Sequence, residues 1–141
     1  MITYPQPEDV LYYAGHTFRV EWYYTEAGML PGLEYYLNLD AAEQERLDHM
    51  VKYLADALIG TLLPSTMYRI EDRDEKLYAF KPGAHRFFTF MAEGRCVVIT
   101  NAYRKHSQRM NRPDRQSLRI AADRRIDYLR RVLERTYYEK G

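Results

Sequence analysis

Three short runs near the middle of the chain, LYAFK at 77–81, HRFFTFM at 85–91 and CVVITNAY at 96–103, limit the fold more than any other feature of the sequence. Each has the length of a strand and is rich in β-branched or aromatic residues, and the links between them are too short to hold a crossover helix. Pro82-Gly83 reverses the chain once and Ala92-Glu93-Gly94-Arg95 reverses it again. The three runs therefore predict an antiparallel meander, whose apolar faces other elements must cover.

The flanking segments supply that cover. Phe18 to Tyr24 (FRVEWYY) is bounded by Gly15 and by Gly28, Pro31 and Gly32, and reads as a first strand. LEYYLNL then forms a short helical segment. Asp40 and Glu43 have the spacing of a capping box, followed by Leu47, Met50, Val51, Leu54, Leu58 and Leu62 at intervals of three and four, with Gly60 near the expected end. That stripe is core packing. A last helix is expected from Pro113-Asp114, with Leu118, Ala122, Ile126, Leu129 and Leu133 on its buried stripe and Arg115, Arg119, Arg124, Arg131 and Arg135 projecting elsewhere. The expected order is strand, two helices, three strands and helix, an α+β arrangement in one domain over residues 1–141.

No run approaches a membrane span of roughly 18 apolar residues, and the polar start MITYPQPEDV lacks the order of a secretory leader, so the cytoplasm is the expected compartment. The single cysteine, Cys96, lies inside CVVIT, where a buried structural thiol is expected. His16, His49, His85 and His106 are scattered, and no metal-ligand spacing, phosphate-binding glycine loop or dinucleotide fingerprint is present. No metal or cofactor is expected. A net charge of +1 conceals two unlike halves: residues 1–70 carry 4 Lys/Arg against 10 Asp/Glu, and residues 71–141 carry 17 against 10. Within residues 95–135, eleven of the twelve basic residues are Arg, whose planar fork suits phosphate. This fits either a polyanion partner or a solvated helix face.

Taken in order, these segments resemble the phage-derived RelE/HigB-like toxins. VEWYYTEAGMLPGLEYYLNL is similar to the family's opening strand, Gly/Pro turn and short helix. LYAFKPGAHRFFTF resembles its central hairpin, in which a basic residue ends one strand and an Arg begins the next. CVVITNAYRKHSQR followed by Pro113 resembles its closing strand, aromatic residue, Lys, polar run and helix start. The resemblance spans roughly residues 18–131. It implies a largely antiparallel sheet packed against two N-terminal helices and a C-terminal helix. It also implies the toxin component of a type II toxin-antitoxin pair, cleaving mRNA on the ribosome and blocked by a helix-turn-helix antitoxin. The sequence departs from the pattern at Ala79, where many relatives have an acid, in a slightly longer stretch from Tyr103 to Pro113, and in its near-neutral total charge. These departures keep a second reading open, a non-enzymatic protein-binding module or degenerate toxin on the same fold.

RNA carries its own nucleophile, the 2′-hydroxyl, so cleavage needs a held geometry, neutralised phosphoryl oxygens and proton transfer. On the resemblance, Lys81, Arg86 and Lys105 fall at neighbouring strand ends and are the first catalytic candidates. Arg86 would stabilise transition-state charge, Lys81 or Lys105 would act as base, and His106 would protonate the leaving 5′-oxygen. Tyr103, Arg104, Arg109 and Arg112 are the RNA-binding candidates. Most of the fourteen tyrosines read instead as core edges or interface residues, and the acidic half as a surface facing protein.

Overall fold

A computed structural model describes residues 10–138, so the polar start read above as no leader lies almost wholly outside the described residues. The elements in chain order are β1 (Leu11–Ala14), β2 (Arg19–Trp22), α1 (Pro31–Leu37), α2 (Ala41–Asp56), β3 (Tyr68–Asp72), β4 (Leu77–Phe80), β5 (His85–Ala92), β6 (Cys96–Arg104) and α3 (Arg112–Leu133). The fold is α+β: a six-stranded mixed sheet with three helices among the described residues.

The expected meander is present, β4 pairing antiparallel with β5 and β5 with β6. Gly94 and Arg95 both take positive φ in the second reversal, a conformation glycine adopts at little cost. The sheet is wider than four strands. β3 adds outside β4, while β2 lies parallel to β6 and carries β1 at the far edge, giving the order β1-β2-β6-β5-β4-β3. The β1 and β3 segments, LYYA and YRIED, lie at the two sheet edges and are held by pairing with β2 and β4.

One face of the sheet packs on α1 and α2 through Val20, Trp22, Leu47, Val51, Phe80, Phe87, Val97 and Ile99. The other packs on α3 through Leu77, Ala79, Phe88, Phe90, Val98, Ala122 and Tyr128. Phe80, Phe87 and Phe90 are excluded from solvent, each burial contributing about 1.5–3 kcal/mol. Cys96 is buried as expected, and burial, with Glu21 next, pushes its thiol up to about 12. Tyr23, Tyr24, Tyr128 and Tyr137 are likewise core residues. No helix among the described residues is long and apolar enough to cross a membrane.

Both long helices depart from expectation in an instructive way. The capping box of α2 forms as read, Asp40 accepting the Glu43 amide and Glu43 accepting the Asp40 amide. The helix ends at Asp56, however, leaving Leu58 81% and Leu62 93% exposed rather than on the core stripe. Segments distant in sequence stop it: the Ala55 carbonyl accepts the amides of Thr17 and Phe18, and the Asp56 carboxylate accepts the His16 amide and the Tyr13 hydroxyl. In α3, Ala121, Ala122, Tyr128 and Arg131 face the core, whereas Ile126, Leu129 and Leu133 are 57%, 44% and 84% exposed. The helix is thus rotated from the expected stripe. Arg131 holds it there, its guanidinium donating to Asp127 at 2.7 Å and to the Tyr24 carbonyl at 2.8 Å.

Candidate functional site

The predicted residues meet where β4 ends, β5 begins and β6 leaves the sheet. In β5, strand alternation sends Arg86 to the α3 face and His85 to the face covered by α1 and α2. In β6 a bulge decides the matter: Thr89 pairs with Ile99 but Phe88 with Asn101, leaving Thr100 as the extra residue. Without it, alternation from Val98 would put Ala102 and Arg104 on the α3 face. With it, Tyr103 and Lys105 occupy that face, and Tyr103 stands directly across from Arg86.

Lys81 follows β4 and donates to the Ser65 carbonyl at 3.2 Å. Burial, then the charges of Arg86 and Arg69, hold its ammonium pKa below the ordinary lysine range, with Glu71 opposing and Lys105 adding to the depression. Arg86 is anchored by its own turn, Nη1 donating to the Gly83 carbonyl at 2.9 Å and the His85 carbonyl at 2.8 Å. The Tyr103 ring stacks on Phe88 at 5.6 Å, and burial, followed by the Asp114 carboxylate, raises its hydroxyl pKa. Lys105 is tied by a backbone bond from its amide to the Ala84 carbonyl at 2.8 Å, and its ammonium lies 3.1 Å from Asp114.

Asp114 has two duties. It is the reciprocal partner of Asn111 in the capping box that starts α3, with Pro113 in the first turn, and it is the acid beneath Lys105. Burial would raise its carboxyl; the Asn111 amide, the Tyr103 hydroxyl and the Lys105 ammonium outweigh that and hold it below the ordinary range. Lys105 is therefore not surrounded by cations alone, because its ammonium pairs with the Asp114 carboxylate.

Lys81, Arg86, Tyr103 and Lys105 thus share one face of one strand end. The others do not join them there. Arg104 falls on the opposite face, as the cross-strand partner of His85. His106 and Arg109 are exposed in the loop between β6 and α3, and Arg112 is exposed in the first turn of α3. Sequence reading missed Arg69, Glu71 and Asp114. The alternation of Tyr68 and Ile70 with Arg69 and Glu71 was the available signal for the first two, and the Asn-x-x-Asp spacing for the third. Among the described residues, no three His, Cys, Asp or Glu side chains gather where a metal ion could be held.

The site is a cationic cluster beside the Tyr103 ring, part-exposed at Arg86 and flanked by the carboxylates of Glu71 and Asp114. Such a constellation has the charge to receive an anion, a lysine with a raised neutral fraction and a guanidinium able to meet developing negative charge. No family model matches this chain, and no curated protein matches it.

Proposed function

We propose that the protein is an endoribonuclease of the RelE/HigB-like kind, the toxin of a type II toxin-antitoxin pair. It cleaves mRNA, on the ribosome, and is restrained by a helix-turn-helix antitoxin. The observation that carries this reading is the convergence of Lys81, Arg86, Tyr103 and Lys105 with a depressed Lys81 ammonium. In the proposed step the neutral Lys81 amine takes the 2′-hydroxyl proton as the 2′-oxygen bonds to phosphorus. The phosphorus–O5′ bond breaks, leaving a 2′,3′-cyclic phosphate, and the 5′-oxygen takes a proton from water at the open side of the site. Arg86 and Lys105 hold the phosphoryl oxygens, and Tyr103 presents a face to a base. The RNA brings its own nucleophile, so the step calls for no metal.

The test is growth after controlled expression of the wild type beside Lys81→Ala/Arg86→Ala, with mapping of new RNA 5′ ends. Growth arrest with new ends that vanish in the variant supports the reading. Harmless expression of both without new ends overturns it.

A pH profile gives an independent check. Arg69 contributes to the depression of Lys81, so Arg69→Gln raises the Lys81 pKa and lowers the neutral fraction at any given pH. The rising limb of log kcat/KM against pH moves to higher pH, while the rate on the high-pH plateau changes little. A limb that stays in place removes Lys81 as the base.

One observation favours a second reading, a protein-binding module on the same scaffold. The exposed side of α3 carries Ile126, Leu129 and Leu133 at helical spacing, a stripe suited to a partner helix, and Asp114 and Glu71 offset part of the site's charge. A folded wild type that neither binds nor cuts RNA selects this reading.

A further inference from the structure

The turn that joins Lys81 to Arg86 has a second side. There, on the face covered by α1 and α2, the His85 ring is almost excluded from solvent and is held at both ends: the Tyr35 hydroxyl lies 2.7 Å from Nδ1 and the Glu43 carboxylate 2.7 Å from Nε2. Glu43 also accepts the Asp40 amide N–H at 3.2 Å. The His85 hydrogen bond first, and the Asp40 amide next, hold its carboxyl below the ordinary range. The one acid in this cluster is thus engaged from two sides, and the His85 clamp fixes the backbone whose carbonyl anchors Arg86.

Two arginines flank the clamp. Arg104 is the cross-strand partner of His85, and its charge reaches the Tyr35 hydroxyl, opposing the burial that raises it. Arg46 projects from α2 over the turn, with Nη1 3.3 Å from the point a Cβ on Gly83 would occupy. Both are exposed, and neither makes an ion pair among the described residues. Arg119, Arg130 and Arg131 on α3, by contrast, are each matched to an acid. Between the two basic faces stands Gly83, with φ of +61° and no side chain, which leaves the backbone open to close approach.

We propose that Arg46 and Arg104 form a second phosphate subsite, so that a single-stranded RNA folds over the Pro82-Gly83 turn with one phosphate at Arg86 and Lys105 and another at Arg46 and Arg104. This rests on the ribonuclease reading above and narrows its substrate to a strand of several nucleotides that can bend around a sheet end. An A-form duplex cannot present two phosphates to opposite faces of one turn. The stacking face of Tyr103 and the cationic track around the turn match the way single strands are held, by base stacking and backbone charge together.

The test compares wild type with Arg46→Ala/Arg104→Ala, both substitutions being at exposed positions. Binding of fully 2′-O-methylated oligonucleotides, a dinucleotide and a decanucleotide that cannot be cut, is followed by fluorescence anisotropy over a salt series. The variant is expected to bind the decanucleotide roughly 10-fold more weakly at low salt, with the slope of log K against log salt reduced by about 0.7, the value for one lost phosphate contact on a single strand. Dinucleotide binding stays as in the wild type. A variant that keeps the full gain from dinucleotide to decanucleotide, or that loses both ligands equally, overturns the second subsite while leaving the first intact. A wild type that binds neither oligonucleotide overturns the ribonuclease reading, and the subsite with it.

Discussion

Arg86→Ala lowers the rate of RNA cleavage at least about 100-fold while leaving the protein folded, the scale of losing one preorganised charge contact in the transition state. The guanidinium is part-exposed and makes no ion pair within the described residues; its bonds are to the carbonyls of Gly83 and His85 in its own turn. Removing it leaves no buried charge unpaired, so stability changes little. Those same bonds fix the fork before substrate arrives, which is the condition under which a charge lowers a barrier without reorganising. Arg86→Lys restores only part of the rate, because an ammonium cannot span two phosphoryl oxygens as a planar fork does. The effect falls on kcat more than on KM, since Lys105 remains to hold the ground-state phosphate. An Arg86→Ala protein with wild-type activity places the chemistry elsewhere.

The residues of this site were legible in sequence to different depths, for reasons that lie in the range of the interactions. The hairpins over 77–103 could be read because their signals are local: apolar runs, a Pro-Gly reversal and a Gly-containing link. The start of α2 was equally local, Asp40 and Glu43 capping each other across one turn. Its end was not, since the atoms that halt it belong to Tyr13, His16, Thr17 and Phe18, about forty residues away. The parallel pairing of β2 with β6 has no local signature. Alternation counted from Val98 would put Arg104 on the α3 face, because the inserted Thr100 reverses the count only once β5 is in place to define it. Lys81, Arg86, Tyr103 and Lys105 were reached by resemblance to a family pattern. Arg69, Glu71 and Asp114, which set the charge state of that cluster, depend on an edge strand and a helix cap that the pattern did not carry.

The rotation of α3 leads to the second large effect. Arg131→Leu destabilises the protein by about 3 kcal/mol, from one charge-assisted hydrogen bond to a buried carbonyl and the loss of cation–π contacts. For a chain of this size that lowers Tm by roughly 10 °C. Arg131 is buried, its guanidinium 4.6 Å and 4.7 Å from the ring centres of Tyr24 and Tyr137, and it donates a side-chain N–H to the Tyr24 carbonyl. Leucine fits the apolar surroundings but leaves that carbonyl without this donor. The neighbouring Arg130 is the control. It contacts Glu26, Asp127 and Glu134, more acids than Arg131, yet its side chain is 47% exposed, and exposed pairs are worth about 0–1 kcal/mol each. Arg130→Leu therefore shifts Tm far less. Counting ion pairs ranks these two arginines one way and burial ranks them the other, so thermal unfolding of the two variants followed by circular dichroism decides between the criteria. A larger loss at Arg130 would mean that Arg131 does not set the face α3 turns to the sheet, and that the exposed stripe of Ile126, Leu129 and Leu133 has another cause.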